Sequence, residues 1–162
     1  MPVPTARVLL DEAEVRLRDG GVPSPRVDAE LLLAHVLHTT RSGLYADTDR
    51  EVDGAWEPLL ARREAREPLA YVLGEWGFRR LTLKTDVRAL VPRPETEVVV
   101  ERALALLDGT DAPRVLDIGV GSGAIALALK DERPDAQVVG VDVSHEALAL
   151  ARENAERLGL SA

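Results

Sequence analysis

Residues 114–129, RVLDIGVGSGAIALAL, set an apolar run directly before three closely spaced glycines and a second apolar run directly after them. The first run predicts a strand over 115–118, the glycines a tight turn, and the second run a helix over 123–130. AQVVGVDV then predicts a strand over 137–141, and the segment from Ser144 to Leu158 predicts a helix closed by Gly159. Strand, helix, strand and helix in this order specify a parallel sheet built through crossover helices. No other stretch restricts the fold as strongly.

The glycines by themselves fit two kinds of ligand. Gly119, Gly121 and Gly123 give G-x-G-x-G, while Gly119, Gly121 and Ala124 also satisfy the dinucleotide pattern G-x-G-x-x-G/A. Both need glycine, because a Cβ would block a close backbone approach. Charge separates them. Asp117 ends the first strand two residues before the glycines, where its carboxylate would oppose a pyrophosphate and attract a cationic nucleoside. S-adenosylmethionine (AdoMet), with its sulfonium and ammonium groups, is such a nucleoside. Asp142 ends the next strand roughly 20 residues further on, the spacing at which a carboxylate meets ribose hydroxyls in sheets of this type. The plainer reading is that Asp142 closes the strand while Ser144 caps the following helix.

The 162 residues have room for one domain or two small ones, and the composition, 46% hydrophobic and 30% charged, is that of a soluble globular chain. The apolar runs are too short to span a bilayer, and the charged opening residues do not form a signal peptide. With no cysteine, disulfide frameworks and thiolate metal sites are excluded, which agrees with a cytoplasmic protein. A net charge of −8 opposes a broad nucleic-acid-binding surface.

Upstream of residue 74 the pattern is helical. Thr5 is placed to cap a helix with Val8, Leu9, Ala13 and Leu17 on one side, and Gly20 and Gly21 stop it. Ser24 and Pro25 form a cap and first-turn pair for a second helix. AWEPLLARREARE fits a third, with ARREARE as its charged outer face. The period then changes, and FRRLTLKTDVRALVP predicts a β-hairpin whose turn lies near residues 84–86. Pro94 opens a helix ending at Gly109, with Val98, Val99 and Leu104 expected to face the core. Two parallel strands are too few for a stable sheet, so the chain is expected to be the amino-terminal part of a larger protein or a truncated product of one.

REPLAYVLGEWGF, LVPRPETE, VLDIGVGSGAIALAL and VVGVDVSHEALALARENAERLGL occur in the order found in the HemK/PrmC family of release-factor glutamine methyltransferases, which this chain resembles. The resemblance is weak in the first helices and strong from Glu67 onward. PRPETE is its most specific part. It implies an α/β architecture with an amino-terminal helical bundle over residues 1–74 that recognises the substrate, a β-hairpin linker over 75–93, and the first half of a Rossmann-like AdoMet-dependent methyltransferase domain over 94–162. It also implies methyl transfer from AdoMet to the glutamine side-chain nitrogen in the GGQ motif of class I peptide chain release factors, by a cytoplasmic monomer that binds neither nucleic acid nor membrane. Carried over by position, Gly119, Val120, Gly121, Ser122 and Gly123 face the methionine part of AdoMet, and Asp142 binds its ribose.

The family's substrate clamp, N-P-P-Y, is absent here, so no catalytic residue is assigned and the chain alone is expected to be inactive. Asn154, the only asparagine, lies in a predicted helix without neighbouring prolines and cannot replace it. Arg93 and Glu95 of LVPRPETE are candidates for one wall of the pocket, or members of a rigid join. An adenine-N6 nucleic-acid methyltransferase and a non-catalytic partner-binding chain are the alternatives. No metal site is assigned. Asp49, Glu51, Asp53 and Gly54 have EF-hand spacing, but the twelfth position is Leu60 instead of a bidentate glutamate. His35 and His38 lack a third ligand.

Overall fold

The computed structural model describes residues 3–52 and 55–161 and divides into two compact units, Met1–Leu73 and Gly74–Ala162. Asp53 and Gly54 of the EF-hand-like spacing lie outside the described residues. Among the described residues no helix is long and apolar enough to cross a membrane.

The first unit is helical: α1 (Ala6–Asp19), α2 (Pro25–Val36), α3 (Arg41–Ala46), α4 (Trp56–Glu64) and α5 (Leu69–Leu73). The second helix is apolar on most sides, which suits its central place against α1, α3 and α4. Leu10, Leu17, Leu32, Leu33, Leu44 and Leu60 fill the core. Val8, expected on the buried side of α1, is 45% exposed, and Leu10 takes that place. Thr5 stands at the cap position of α1 but its side chain bonds no amide. The free amides of Ala6 and Arg7 instead donate to the carbonyls of Arg50 and Thr48, each at 2.9 Å. A returning segment thus does the work of the cap.

Two acids of α2 are buried in this unit. Asp28 accepts from Arg63 Nε at 2.7 Å, and Arg63 also donates to the Glu67 carbonyl at 2.8 Å. Glu30 is bonded by Arg26, Arg41 and Tyr45. Burial acts to raise its pKa, but those three donors outweigh burial and hold it below the usual carboxylate range. ARREARE is therefore not a plain solvated face. Arg63 reaches inward to Asp28, Arg62 binds Glu67 and two carbonyls of the α5 region, and Arg66 donates to Gly21.

The second unit opens with β1 (Glu75–Phe78) and β2 (Leu81–Lys84), antiparallel with Phe78 opposite Leu81. The hairpin turn is Arg79–Arg80, not residues 84–86 as the polar K-T-D run suggested. Arg79 adopts a left-handed φ of 52°, and partners distant in sequence hold it there. Its amide donates to Glu97 Oε1 at 3.1 Å and its guanidinium pairs with Glu132. Helix α6 (Pro94–Leu106), strand β3 (Arg114–Ile118), helix α7 (Ala124–Glu132), strand β4 (Gln137–Val141) and helix α8 (His145–Leu158) follow, with β3 and β4 parallel and Asp117 opposite Gly140.

Phe78, Leu83, Val100, Leu127 and Leu129 form the core of this unit. On α6 it is Val100 that is buried, whereas Val98 and Val99 are 53% and 52% exposed and Leu104 is half-buried. Three consecutive valines cannot all face inward, and contact with α7 decides which one does. The two strands have one covered face, where Val115 and Val138 meet the core, and one open face carrying Leu116, Ile118, Val139 and Val141.

Candidate functional site

The turn after β3 bends through three left-handed glycines. Gly119, Gly121 and Gly123 have φ of 83°, 54° and 90°, the left-handed region closed to most side chains. The turn is pinned to the end of β4, since the amides of Gly119 and Val120 both donate to the Val141 carbonyl, at 2.8 and 3.0 Å. Gly123 then donates to Val120 O at 2.9 Å and starts α7 by accepting from Leu127 N at 2.8 Å. A Cβ at Gly119 would meet nothing within 4 Å, so its outer side is open space.

Asp142 completes the turn from the next strand. Its Oδ2 accepts from Gly121 N and its Oδ1 from Ser144 N, both at 2.9 Å. These backbone donors, Ser144 first and Gly121 second, hold the carboxyl below its usual range and keep it ionised. Each oxygen retains acceptor capacity after one such bond. Ser144 Oγ accepts from Ala147 N at 3.1 Å, so Ser144 caps α8 and leaves Asp142 to the turn.

Asp117 stands at the end of β3 beside the turn. Its Oδ2 accepts from Ala126 N, in the first turn of α7, at 3.2 Å. Burial pushes its pKa up, and the nearby Asp142 charge adds to the effect. One oxygen serves the helix end, and among the described residues Oδ1 accepts no hydrogen bond. Val120 and Ser122 are both buried within the turn, and Arg93 and Glu95 stand exposed at the start of α6.

Two residues of this site escaped sequence reasoning. A Cβ on Gly140, in β4, would lie 2.6 Å from Val120 Cγ2, so the glycine lets Val120 seat against the strand. An isolated glycine inside a strand is the signal that could have found it. Asn154 is fully buried and donates to Ser122 O at 2.9 Å; an asparagine on the inner stripe of an amphipathic helix was the clue. Gly140→Ala is expected to lift Val120 and cost about 1–3 kcal/mol by overpacking. Denaturant unfolding followed through Trp76, the tryptophan of this unit, measures it, and unchanged stability would show that the turn yields freely.

A groove of about 740 Å³ opens between α7 and α8, lined by Leu127, Val138, Leu148 and Ala155 among others. Its lining includes Val120 and Gly123 of the turn but neither Asp117 nor Asp142.

Residues 110–162, which hold the parallel strand–turn–helix–strand–helix unit, match the family described as Methyltransferase domain. Residues 8–74 match the PrmC N-terminal domain. Both matches fall where the chain's motifs resemble the HemK/PrmC family. The chain is 50% identical over 161 residues to a release factor glutamine methyltransferase of Deinococcus radiodurans, covering 95% of this chain and 57% of that protein. Proteins of the same name from Vibrio cholerae and Moorella thermoacetica are 47% and 43% identical, over 96% and 98% of this chain and 56% and 57% of theirs. The chain thus spans little more than half the length of these relatives.

Proposed function

We propose that the complete protein is a cytoplasmic, monomeric enzyme that transfers a methyl group from AdoMet to the side-chain nitrogen of the GGQ glutamine in class I release factors. The observation that carries this reading is the similarity along nearly the whole chain to relatives named for that reaction. The geometry supports the AdoMet half of it. The turn is open on its outer side at Gly119, and its two flanking acids suit a cationic nucleoside with vicinal hydroxyls. When bound, AdoMet supplies an electrophilic methyl group on its sulfonium. Residues 119–123 hold its methionine part, Asp142 accepts from the ribose hydroxyls, and the free oxygen of Asp117 faces positive charge. The helical unit recognises the release factor, and Arg93 and Glu95 form one wall of the pocket.

Transfer of labelled methyl from AdoMet to purified release factor tests this, using the chain continued by the carboxyl-terminal part of the Deinococcus radiodurans relative. Label on the GGQ glutamine is expected. Label on adenine of DNA or RNA, with none on release factor, would overturn the reading in favour of a nucleic-acid substrate.

Asp142→Ala in the same protein is expected to weaken AdoMet by about 1.5–3 kcal/mol, the worth of a charge-assisted hydrogen bond. Calorimetric titration measures it; an unchanged affinity would remove Asp142 from the ribose site.

A further inference from the structure

Asn154 has every polar hydrogen and its oxygen engaged. Its Oδ1 accepts from Lys84 N at 2.7 Å, and its Nδ2 donates to Lys84 O at 3.1 Å and to Ser122 O at 2.9 Å. A fully buried carboxamide is unfavourable unless each group is paired, and a leucine would fill the space at lower cost if packing were all that was needed. Only a carboxamide offers one acceptor and two donors to match one amide and two carbonyls.

The peptide unit between Ser122 and Gly123 is consequently held at both ends. Its carbonyl is bonded by Asn154 and its amide donates to Val120 O at 2.9 Å. Rotation of that unit would change the left-handed φ of Gly123, on which the turn depends. Asn154 also grips Lys84 at the end of β2, and the adjacent Glu153 accepts from Lys84 Nζ and Arg88 Nη1, both at 2.7 Å. These two α8 residues therefore fix the segment 84–89, whose Ala89 Cβ lies 3.9 Å from where a Gly121 Cβ would be.

We propose that Asn154 is a positioning residue for AdoMet: by holding the Ser122 carbonyl and the Lys84 backbone, it locks the glycine turn and the neighbouring segment in the conformation that receives the methionine part. The inference rests on the AdoMet reading above. It places part of the affinity in a side chain that never touches the ligand.

The test pairs Asn154→Asp, which keeps the acceptor for Lys84 N but loses the donors to both carbonyls, with Val100→Ala, a buried change on α6 of the same unit that removes no hydrogen bond. The amide resonances of Gly119, Gly121 and Gly123 are recorded without ligand, and AdoMet affinity is measured by calorimetry. Asn154→Asp is expected to shift or broaden the Gly121 and Gly123 resonances and weaken AdoMet by about tenfold or more, whereas Val100→Ala leaves both nearly unchanged despite its lower melting temperature. Asn154→Ser, neutral and smaller, gives the same comparison if the aspartate variant does not fold. Glycine resonances that coincide with those of the wild type, or a Val100→Ala variant that loses as much affinity, would overturn the proposal. If the wild type binds no AdoMet, the proposed cofactor is wrong, while the resonances still decide whether Asn154 holds the turn.

Discussion

Replacing Gly123 by valine is expected to abolish AdoMet binding and to lower the stability of the second unit by about 2–5 kcal/mol. Two costs add. A β-branched residue at a φ of 90° is strained by about 1–2 kcal/mol, and its Cβ alone would come within 2.8 Å of Leu127 Cδ1 and 3.5 Å of the Ala151 Cα. Ala151 Cα at that distance is in ordinary contact, but Leu127 is packed in the core and cannot give way without disturbing α7. Overpacking of this kind costs about 1–3 kcal/mol. Urea unfolding monitored at Trp76, together with AdoMet titration, provides the measurement. A variant with wild-type stability would mean that the turn has another conformation of equal energy.

The second large effect is expected in the helical unit. Arg63→Met leaves Asp28 buried without its partner, and removal of one member of a buried pair costs about 3–5 kcal/mol. Both side chains of this pair are only 11% exposed, so solvent cannot replace the guanidinium. The double variant Arg63→Met, Asp28→Asn removes the stranded charge and is expected to recover most of the loss. Trp56, buried in this unit, reports its unfolding, most cleanly with Trp76 replaced by phenylalanine. Equal stability of the single and double variants would show that the ion pair itself, not an abandoned carboxylate, sets the effect.

The elements whose signals are local were legible in the sequence. Ser144 before an amphipathic stretch and Gly159 after it bound α8 as expected, and Gly159 takes the left-handed φ of a helix-ending glycine. The apolar runs around the glycine turn likewise gave β3, α7 and β4 in their observed order. Elements decided by distant partners were not legible. The hairpin turn sits at Arg79 because Glu97 and Glu132 hold it there, and nothing in F-R-R announces two carboxylates 18 and 53 positions away. The short α3 and α5 fall below the length at which periodicity can be read. α3 depends on Thr40 accepting from Gly43 N. In the site, the bond from the Ala126 amide to Asp117 could not be read in advance, because it forms only once α7 is packed on β3. Asn154 was judged by what it could not do for a substrate. Its buried bonds to β2 and the turn depend on contacts 70 and 32 positions apart.

The carboxylate of Asp142 is immobilised before any ligand arrives, with one backbone amide on each oxygen. In calorimetric terms, the rotational freedom that a flexible acid would surrender on meeting two hydroxyls has already been surrendered during folding. A glutamate at this position would carry the same charge on a longer, looser stem. It would have to freeze an extra torsion at the moment of binding, so the difference between the two acids should appear as an entropic penalty rather than a lost electrostatic attraction.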